Sequence, residues 1–205
     1  MIFDLSHFYY ICYMEKLTSN RNFFLISGLI LAAVIFRIIP HPFNITPIIA
    51  VALFAGAKFK DKKWAIIIPI ASLFISDVIL SYVNHYELLH STILFTYGSV
   101  LLIILLGRLL SNDKLNITKT IDLSLLSSLL FFLISNFGVW LFGNLYTLDI
   151  AGLVKCYIMA IPFNKFSWAG DLFFVFALFG IYEFISNKNT SESKEMAWLK
   201  SENID

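Results

Sequence analysis

Long apolar runs, separated by short polar segments, fill the chain from about residue 23 to residue 186. A helix that crosses the hydrocarbon core of a bilayer needs ~20 apolar residues, and several of the runs approach that length. Because the runs are apolar all round rather than striped on one face, they are not typical of helices in a soluble domain. The pattern predicts an all-α bundle of six transmembrane helices, at residues 23–39, 47–58, 64–81, 92–110, 121–142 and 167–186.

The second predicted helix is short for a full span. It follows a turn that predicts an N-cap at Asn44 or Thr46, with Pro47 in the first helical turn. The apolar segment 150–163 is also too short to span, and we interpret it as interfacial or re-entrant. Outside the six-helix domain of residues 23–186, residues 1–22 are expected to form a cytoplasmic N-terminal segment, and residues 187–205 a polar cytoplasmic tail that frays.

Composition and charge agree with a membrane protein. Of the 205 residues 59% are hydrophobic and 14% are charged, whereas soluble domains carry about 25% charged residues. Lys and Arg mark the cytoplasmic side of a membrane protein. With six spans and an inside N-terminus, twelve of the 15 Lys and Arg residues fall inside, and Arg37, Lys155 and Lys165 fall outside. The distribution therefore predicts both termini in the cytoplasm.

Polar side chains recur at one depth of the predicted bundle. Such groups are costly inside a membrane and point to function. Five of the six helices place one in the outer layer, while the inner halves are mostly aliphatic or Phe. We expect an outward-facing ligand pocket above an apolar plug. The candidate pocket residues are Arg37, Asn44, Thr46, Asp77, Asn136, Trp140, Tyr157 and Asp171.

Each candidate also has a structural interpretation. Arg37 could pair with Asp77 or Asp171 only to neutralise a buried charge. Asn136 and Trp140 share a helix face at i and i+4, which suits a ligand that stacks and forms hydrogen bonds, although Trp140 alone is equally typical of an interfacial aromatic belt. Another face of the fifth helix carries small residues that favour helix packing: Ser124, Ser128, Ser135 and Gly138.

Two pairs of small residues are candidates for docking a partner membrane protein. Gly28 with Ala32, and Ala52 with Gly56, are each spaced to allow another helix to approach closely.

The sequence lacks signatures of enzymes and of nucleotide binding. His41, His85, His90 and Cys156 fall in predicted outer segments, but their spacing fits no compact metal site. We therefore predict no enzyme activity, no cofactor, no metal and no nucleic-acid partner. Because no nucleotide motif is present, energised transport would need another subunit.

Several stretches resemble a known family. They are the segment from Asn44 to Ala57, Ser76-Asp77, the segment from Ser135 to Trp140, Cys156-Tyr157 with the segment from Ala160 to Phe163, and the segment from Gly170 to Phe174. Together they resemble a bacterial family of membrane proteins of unassigned function. That family is similar to the substrate-binding S components of energy-coupling factor vitamin transporters. The resemblance covers roughly residues 23–186.

The resemblance implies six helices, an outward-facing vitamin pocket and a place in the bacterial cytoplasmic membrane. S components dock on a shared transmembrane coupling protein that two ATPases drive, commonly through an Ala-xxx-Ala pair on the first helix. The matching position here is Gly28-xxx-Ala32, a departure from that pair. No vitamin-specific motif matches, so the substrate stays open.

Two functions therefore compete. The first is capture of a small, vitamin-like nutrient for uptake, and the second is a multispanning membrane scaffold such as a cell-shape protein. An intramembrane enzyme is a third and weaker alternative. The polar outer layer favours capture, because a scaffold has no need of a ligand cavity.

Overall fold

A computed structural model of the protein describes residues 5–39, 46–85, 87–88, 91–110 and 116–202. The secondary structure of these residues is helical. The helices are α1 (Leu5–Ile38), α2 (Ile48–Lys58), α3 (Lys62–Asn84), α4 (Ile93–Gly107), α5 (Ile117–Phe142) and α6 (Ile150–Glu202), and a 3-10 turn, Arg108–Leu110, continues α4.

Five helical segments are long and apolar enough to cross a membrane, as expected of a multi-pass membrane protein. The five segments are Asn20–Ile38, Lys62–Asn84, Ile93–Leu110, Ile117–Phe142 and Phe166–Lys188. Two further apolar helices, Ile48–Lys58 and Ile150–Pro162, are shorter. The all-α prediction is confirmed at this level, while the count of six spans and the side of each terminus stay predictions.

The structure corrects three details at the ends of helices. Residues 150–163 and the sixth predicted helix form one continuous helix, α6, which runs through Pro162 as far as Glu202. Segment 150–163 therefore does not turn back as a re-entrant loop, and the tail is helical to Glu202 rather than frayed. The cap of α2 also differs, because Pro47 is the N-cap and no side chain caps the helix.

Asp149 fixes the beginning of α6. Its Oδ1 accepts hydrogen bonds from the backbone N–H of Gly152, at 2.7 Å, and from the hydroxyl of Thr147, at 2.8 Å. These two donors stabilise the carboxylate and lower its pKa. The indole N–H of Trp140 donates to the carbonyl of Thr147 at 3.0 Å, so the end of α5 is joined to the same turn.

The short helix α2 lies at the centre of the bundle. It contacts all five other helices, and every residue from Ile49 to Ala57 is buried. Its closest approach is to α4, where two glycines face each other. A Cβ atom on Gly56 would collide with the carbonyl oxygen of Ile104, and one on Gly107 would collide with that of Leu53. The two backbones are therefore in contact, which only glycine permits.

Side-chain contacts give the direction of each helix. The ring of Phe23 in α1 lies 5.7 Å from that of Phe59, just after α2, while Arg37 and Pro47 line one small space at the opposite end. Thus α2 runs antiparallel to α1 over the same depth. The contacts that follow along the chain make α3 and α5 parallel to α1, and α4 and α6 parallel to α2. We call the two ends of this bundle the Arg37 end and the Lys58 end.

At the Lys58 end, a salt bridge and a cation–π contact join α2 to α6. The ammonium of Lys58 lies 2.6 Å from the Glu183 carboxylate of α6 and 4.8 Å from the ring centre of Tyr182. Above it, the ring of Phe54 meets that of Phe179 edge to face at 5.2 Å. This apolar layer fills the part of the bundle where the sequence predicts a plug.

The direction of the helices generates a topology prediction. With six passes, reporter fusions after Lys62 and Asn116 should give a cytoplasmic signal, and fusions after Tyr86 and Thr147 an external one. The reason is that twelve Lys and Arg residues fall on the predicted inner side against three on the outer side. An external signal after Lys62 would mean that α2 does not cross the membrane.

The contact between α2 and α4 generates a second prediction. Gly56→Ala should lower the free energy of unfolding by about 1–3 kcal/mol, because the added methyl overpacks a backbone contact. Gly28→Ala is the matched control, because its Cβ would meet nothing within 4 Å. Thermal unfolding of detergent-purified protein measures both. Equal melting temperatures in the two variants would contradict the close crossing.

Candidate functional site

The principal cavity lies between the N-terminus of α2 and the helices α5 and α6. Its volume is about 410 Å³, within the range of about 300–1,000 Å³ that is usual for small-molecule sites. Both polar and apolar side chains line it. The lining residues are Thr46, Ile48, Ile49, Ser128, Phe131, Phe132, Ser135, Asn136, Ala160, Asn164, Ser167 and Asp171.

Ser128 and Asp171 are the two most deeply buried polar residues of this lining. Asp171 is 3% exposed, and its Oδ2 accepts a hydrogen bond of 2.7 Å from the hydroxyl of Ser128 in α5. The same hydroxyl also lies 3.0 Å from the carbonyl of Ser124. A carboxylate has about four lone-pair sites for hydrogen bonds, so one serine leaves most of that capacity to other donors.

Asn136 lies two helical turns from Ser128 along α5, about 12 Å away in helix rise. Its Nδ2 donates to the carbonyl of Phe132 at 2.8 Å. On α6, Asn164 and Ser167 follow one another along the face that ends at Asp171. The cavity is therefore a polar path, bordered by two Phe rings, that ends at a buried carboxylate.

The ion pair of the bundle lies outside this cavity. Arg37 Nη2 is 2.5 Å from Asp77 Oδ1, and both side chains are 14% exposed. Arg37 also donates to the hydroxyl of Ser76, and the hydroxyl of Tyr97 donates to Asp77 Oδ2 at 2.6 Å. We call Arg37, Ser76, Asp77 and Tyr97 the ion-pair cluster. Its helices are α1, α3 and α4, whereas the described lining of the cavity comes from α5, α6 and the beginning of α2, and Ile48 of α2 borders both regions.

The expected single pocket thus divides into two groups. Thr46, Asn136 and Asp171 line the cavity together. Arg37 and Asp77 pair with each other, which matches the structural alternative for Arg37. Neither is among the described residues that line the cavity.

Trp140 and Tyr157 join helices rather than line the cavity. Trp140 is held in the turn before α6 by its bond to Thr147. The hydroxyl of Tyr157 donates to the carbonyl of Leu133 at 2.8 Å, and its ring lies 5.7 Å from that of Phe132. Tyr157 therefore supports one of the two Phe rings that border the cavity.

Some predicted residues fall outside the described part of the chain. These are Asn44, His41 and His90. Of the other residues considered for metal binding, His85 has a left-handed backbone at the end of α3, and Cys156 is buried with its Sγ 3.5 Å from the carbonyl of Asn136.

The two predicted docking pairs differ in exposure. Ala52 and Gly56 are buried between α2 and its neighbours, so this pair presents no exposed surface to a partner and packs the bundle instead. Gly28 and Ala32 are exposed on α1, and the space over Gly28 is empty to 4 Å. Docking through Gly28 and Ala32 stays a prediction.

Sequence reasoning missed several lining residues. Ser128 and Ser135 were assigned to helix packing, yet both line the cavity. Asn164 and Ser167 were not singled out, although the spacing Asn164, Ser167, Asp171 places them on one helix face. The interpretation of 150–163 as a separate segment concealed that face. Asn164 and Ser167 share a helix face with Asp171 only if one helix runs through residues 163–167, as α6 does.

The ion-pair cluster generates a prediction of its own. Arg37→Met should reduce stability by about 2–4 kcal/mol, because a largely buried Asp77 loses its cation. Arg37→Met combined with Asp77→Asn should recover part of the loss. The exposed Arg21→Met on the same helix is the control. Thermal unfolding in detergent is the measurement, and a stability loss in Arg37→Met no larger than in the control would refute a structural role for the pair.

Comparison with known proteins assigns a family without a function. No curated protein matches the chain, and no solved structure does. A family model does match, over residues 17–194, and its description is a family of unknown function, DUF6580. Because this match covers most of the chain, including all the cavity residues, the protein belongs to the DUF6580 family.

Proposed function

We propose that this protein is a membrane-embedded substrate-binding subunit that captures a small, vitamin-like nutrient at the outer side of the bacterial cytoplasmic membrane. The observation that carries the proposal is the cavity of about 410 Å³ that ends at Asp171. Its volume suits a small molecule, and its polar side chains come from α5, from α6 and from Thr46 just before α2.

The position of the cavity supports capture from outside. Thr46 and Ile48 line it at the beginning of α2, which is the Arg37 end of the bundle. The distribution of Lys and Arg predicts that this end faces outward. Towards the Lys58 end, Leu53, Phe54 and Phe179 are fully or almost fully buried. The ligand would therefore enter from outside and stop above an apolar layer.

Release towards the cytoplasm requires energy from another protein. The sequence carries no nucleotide-binding motif, so the proposal includes a transmembrane coupling protein and ATPase subunits, as the resemblance to S components implies. The exposed Gly28 and Ala32 on α1 are the proposed contact with that coupling protein, because small residues allow close helix packing within a bilayer.

The proposal is tested with protein purified from its own host. Native mass spectrometry should show a bound small molecule on the wild-type protein. Ala160→Trp, which fills the cavity, should lose it. Ala169→Trp should retain it, because residue 169 is exposed and lies nine positions further along α6, about 180° around the helix.

The alternative function, a membrane scaffold, predicts a different result. A scaffold would carry no stoichiometric small molecule, or would carry one that Ala160→Trp leaves in place because it binds elsewhere, as a lipid would. Either result on folded, monodisperse protein would overturn the capture proposal.

A further inference from the structure

We propose that the captured ligand is a cation: a small aromatic or heteroaromatic compound whose protonated amine or similar nitrogen group binds Asp171. This inference rests on the proposed function and names the chemical class of its substrate. It follows from the charges around the cavity and from the types of side chain that line it.

The first step concerns the unbalanced charge of the cavity. Asp171 is the one ionisable side chain among the described residues that line it; the others are Thr, Ser, Asn, Ala, Ile and Phe. An anionic ligand would meet a buried carboxylate without a compensating Lys, Arg or His in that lining. A cationic ligand would bring the missing charge, and the energetic cost of a buried ion falls when an opposite charge accompanies it.

The second step concerns two cations in the described part of the bundle, Arg37 and Lys58, which are each paired with a carboxylate. Arg37 is bound to Asp77 and Ser76 in the ion-pair cluster. Lys58 is bound to Glu183, with the rings of Phe179 and Tyr182 beside it, at the opposite end. Each of these cations already has its own carboxylate, so neither is available to neutralise Asp171.

The third step concerns the hydrogen bonds that Asp171 can still accept. Ser128 supplies a single hydroxyl donor, to Oδ2. A protonated amine supplies up to three N–H donors, and hydrogen bonds between charged partners are about twice as strong as neutral ones. A protonated amine can thus occupy lone pairs of Asp171 that Ser128 leaves open.

The fourth step concerns the walls of the cavity. Phe131 and Phe132 border it on α5, and Phe rings attract both aromatic faces and cations. Asn136, Asn164 and Ser135 add donors and acceptors along the path to Asp171. The described lining therefore fits a flat ring with polar substituents and a cationic end, and it holds no Lys, Arg or His that would pair with a carboxylate or phosphate.

The test compares three probes of one shape and different charge: 1-naphthylmethylammonium, 1-naphthylmethanol and 1-naphthoate. Binding to purified wild-type protein is measured by calorimetry near pH 7 and by the shift in melting temperature. We expect the ammonium probe to bind about 10- to 100-fold more tightly than the alcohol, the range for a hydrogen bond to a charged group. The naphthoate should bind most weakly.

Two variants locate the charge. Asp171→Asn keeps the shape of the side chain and removes its charge, so it should abolish the preference for the ammonium probe while retaining binding of the alcohol. Asp122→Asn is the matched control, because Asp122 is an exposed carboxylate on α5 outside the cavity. It should leave the preference unchanged.

The outcomes separate the two proposals. Equal binding of the three probes, tighter binding of naphthoate, or no binding of any probe would overturn the cationic class. Because the comparison of charges is made on wild-type protein, it decides this point even if Asp171→Asn fails to fold. The capture proposal is tested separately, by native mass spectrometry of the molecule that Ala160→Trp removes. If that molecule is neutral or anionic, the cationic class of ligand is refuted while the capture proposal is supported.

Discussion

The close crossing of α2 and α4 is the contact on which the rest of the bundle depends. Gly56 and Gly107 bring the two backbones together, and this allows an 11-residue helix to occupy the centre of the molecule. A helix of that length rises about 16 Å, roughly half the thickness of the apolar core of a bilayer. Because α2 packs against the other five helices, its apolar surface is buried against protein instead of lipid.

A short central helix also creates the space for the site. α5 and α6 continue past the beginning of α2. The cavity lies beside Thr46, Ile48 and Ile49, where α2 no longer occupies the space next to α5 and α6. Further along α2, Leu53 and Phe54 fill the centre completely. The same helix thus forms one side of the cavity at its beginning and the closed apolar layer at its end.

The sequence was sufficient to predict most of the helices, but not where one helix ends and the next begins. Five of the apolar runs correspond to the long segments because hydrophobic length is a strong signal. The joining of 150–163 to the last helix was missed, since Pro162, Asn164 and Lys165 are typical of a break. In the structure, helix α6 accommodates Pro162 without ending, and Asp149 provides the beginning that the sequence analysis did not assign.

Position along the bundle axis was predictable, but direction around each helix was not. Asp77, Asn136 and Asp171 all lie towards the Arg37 end, in agreement with the prediction that they share one layer. Which of them meet depends on the order of the helices around α2, and no single sequence contains that order. Arg37 therefore had two candidate partners, and the structure selects Asp77 because α1 packs against α3. Asp171 was left to pair with Ser128 across α5 and α6.

These two aspartates show why the cavity is better explained by a ligand than by packing. Asp77 has an arginine and a tyrosine hydroxyl, so its burial is compensated within the protein. Asp171 is more buried, and its one hydrogen-bond donor among the described residues is Ser128. A residue that lowers stability without an internal compensation is typical of a functional position. If the bundle served only to hold its own helices in place, an apolar side chain at 171 would fill space and avoid that cost. The cavity beside Asp171 is where a compensating group from outside the protein can bind.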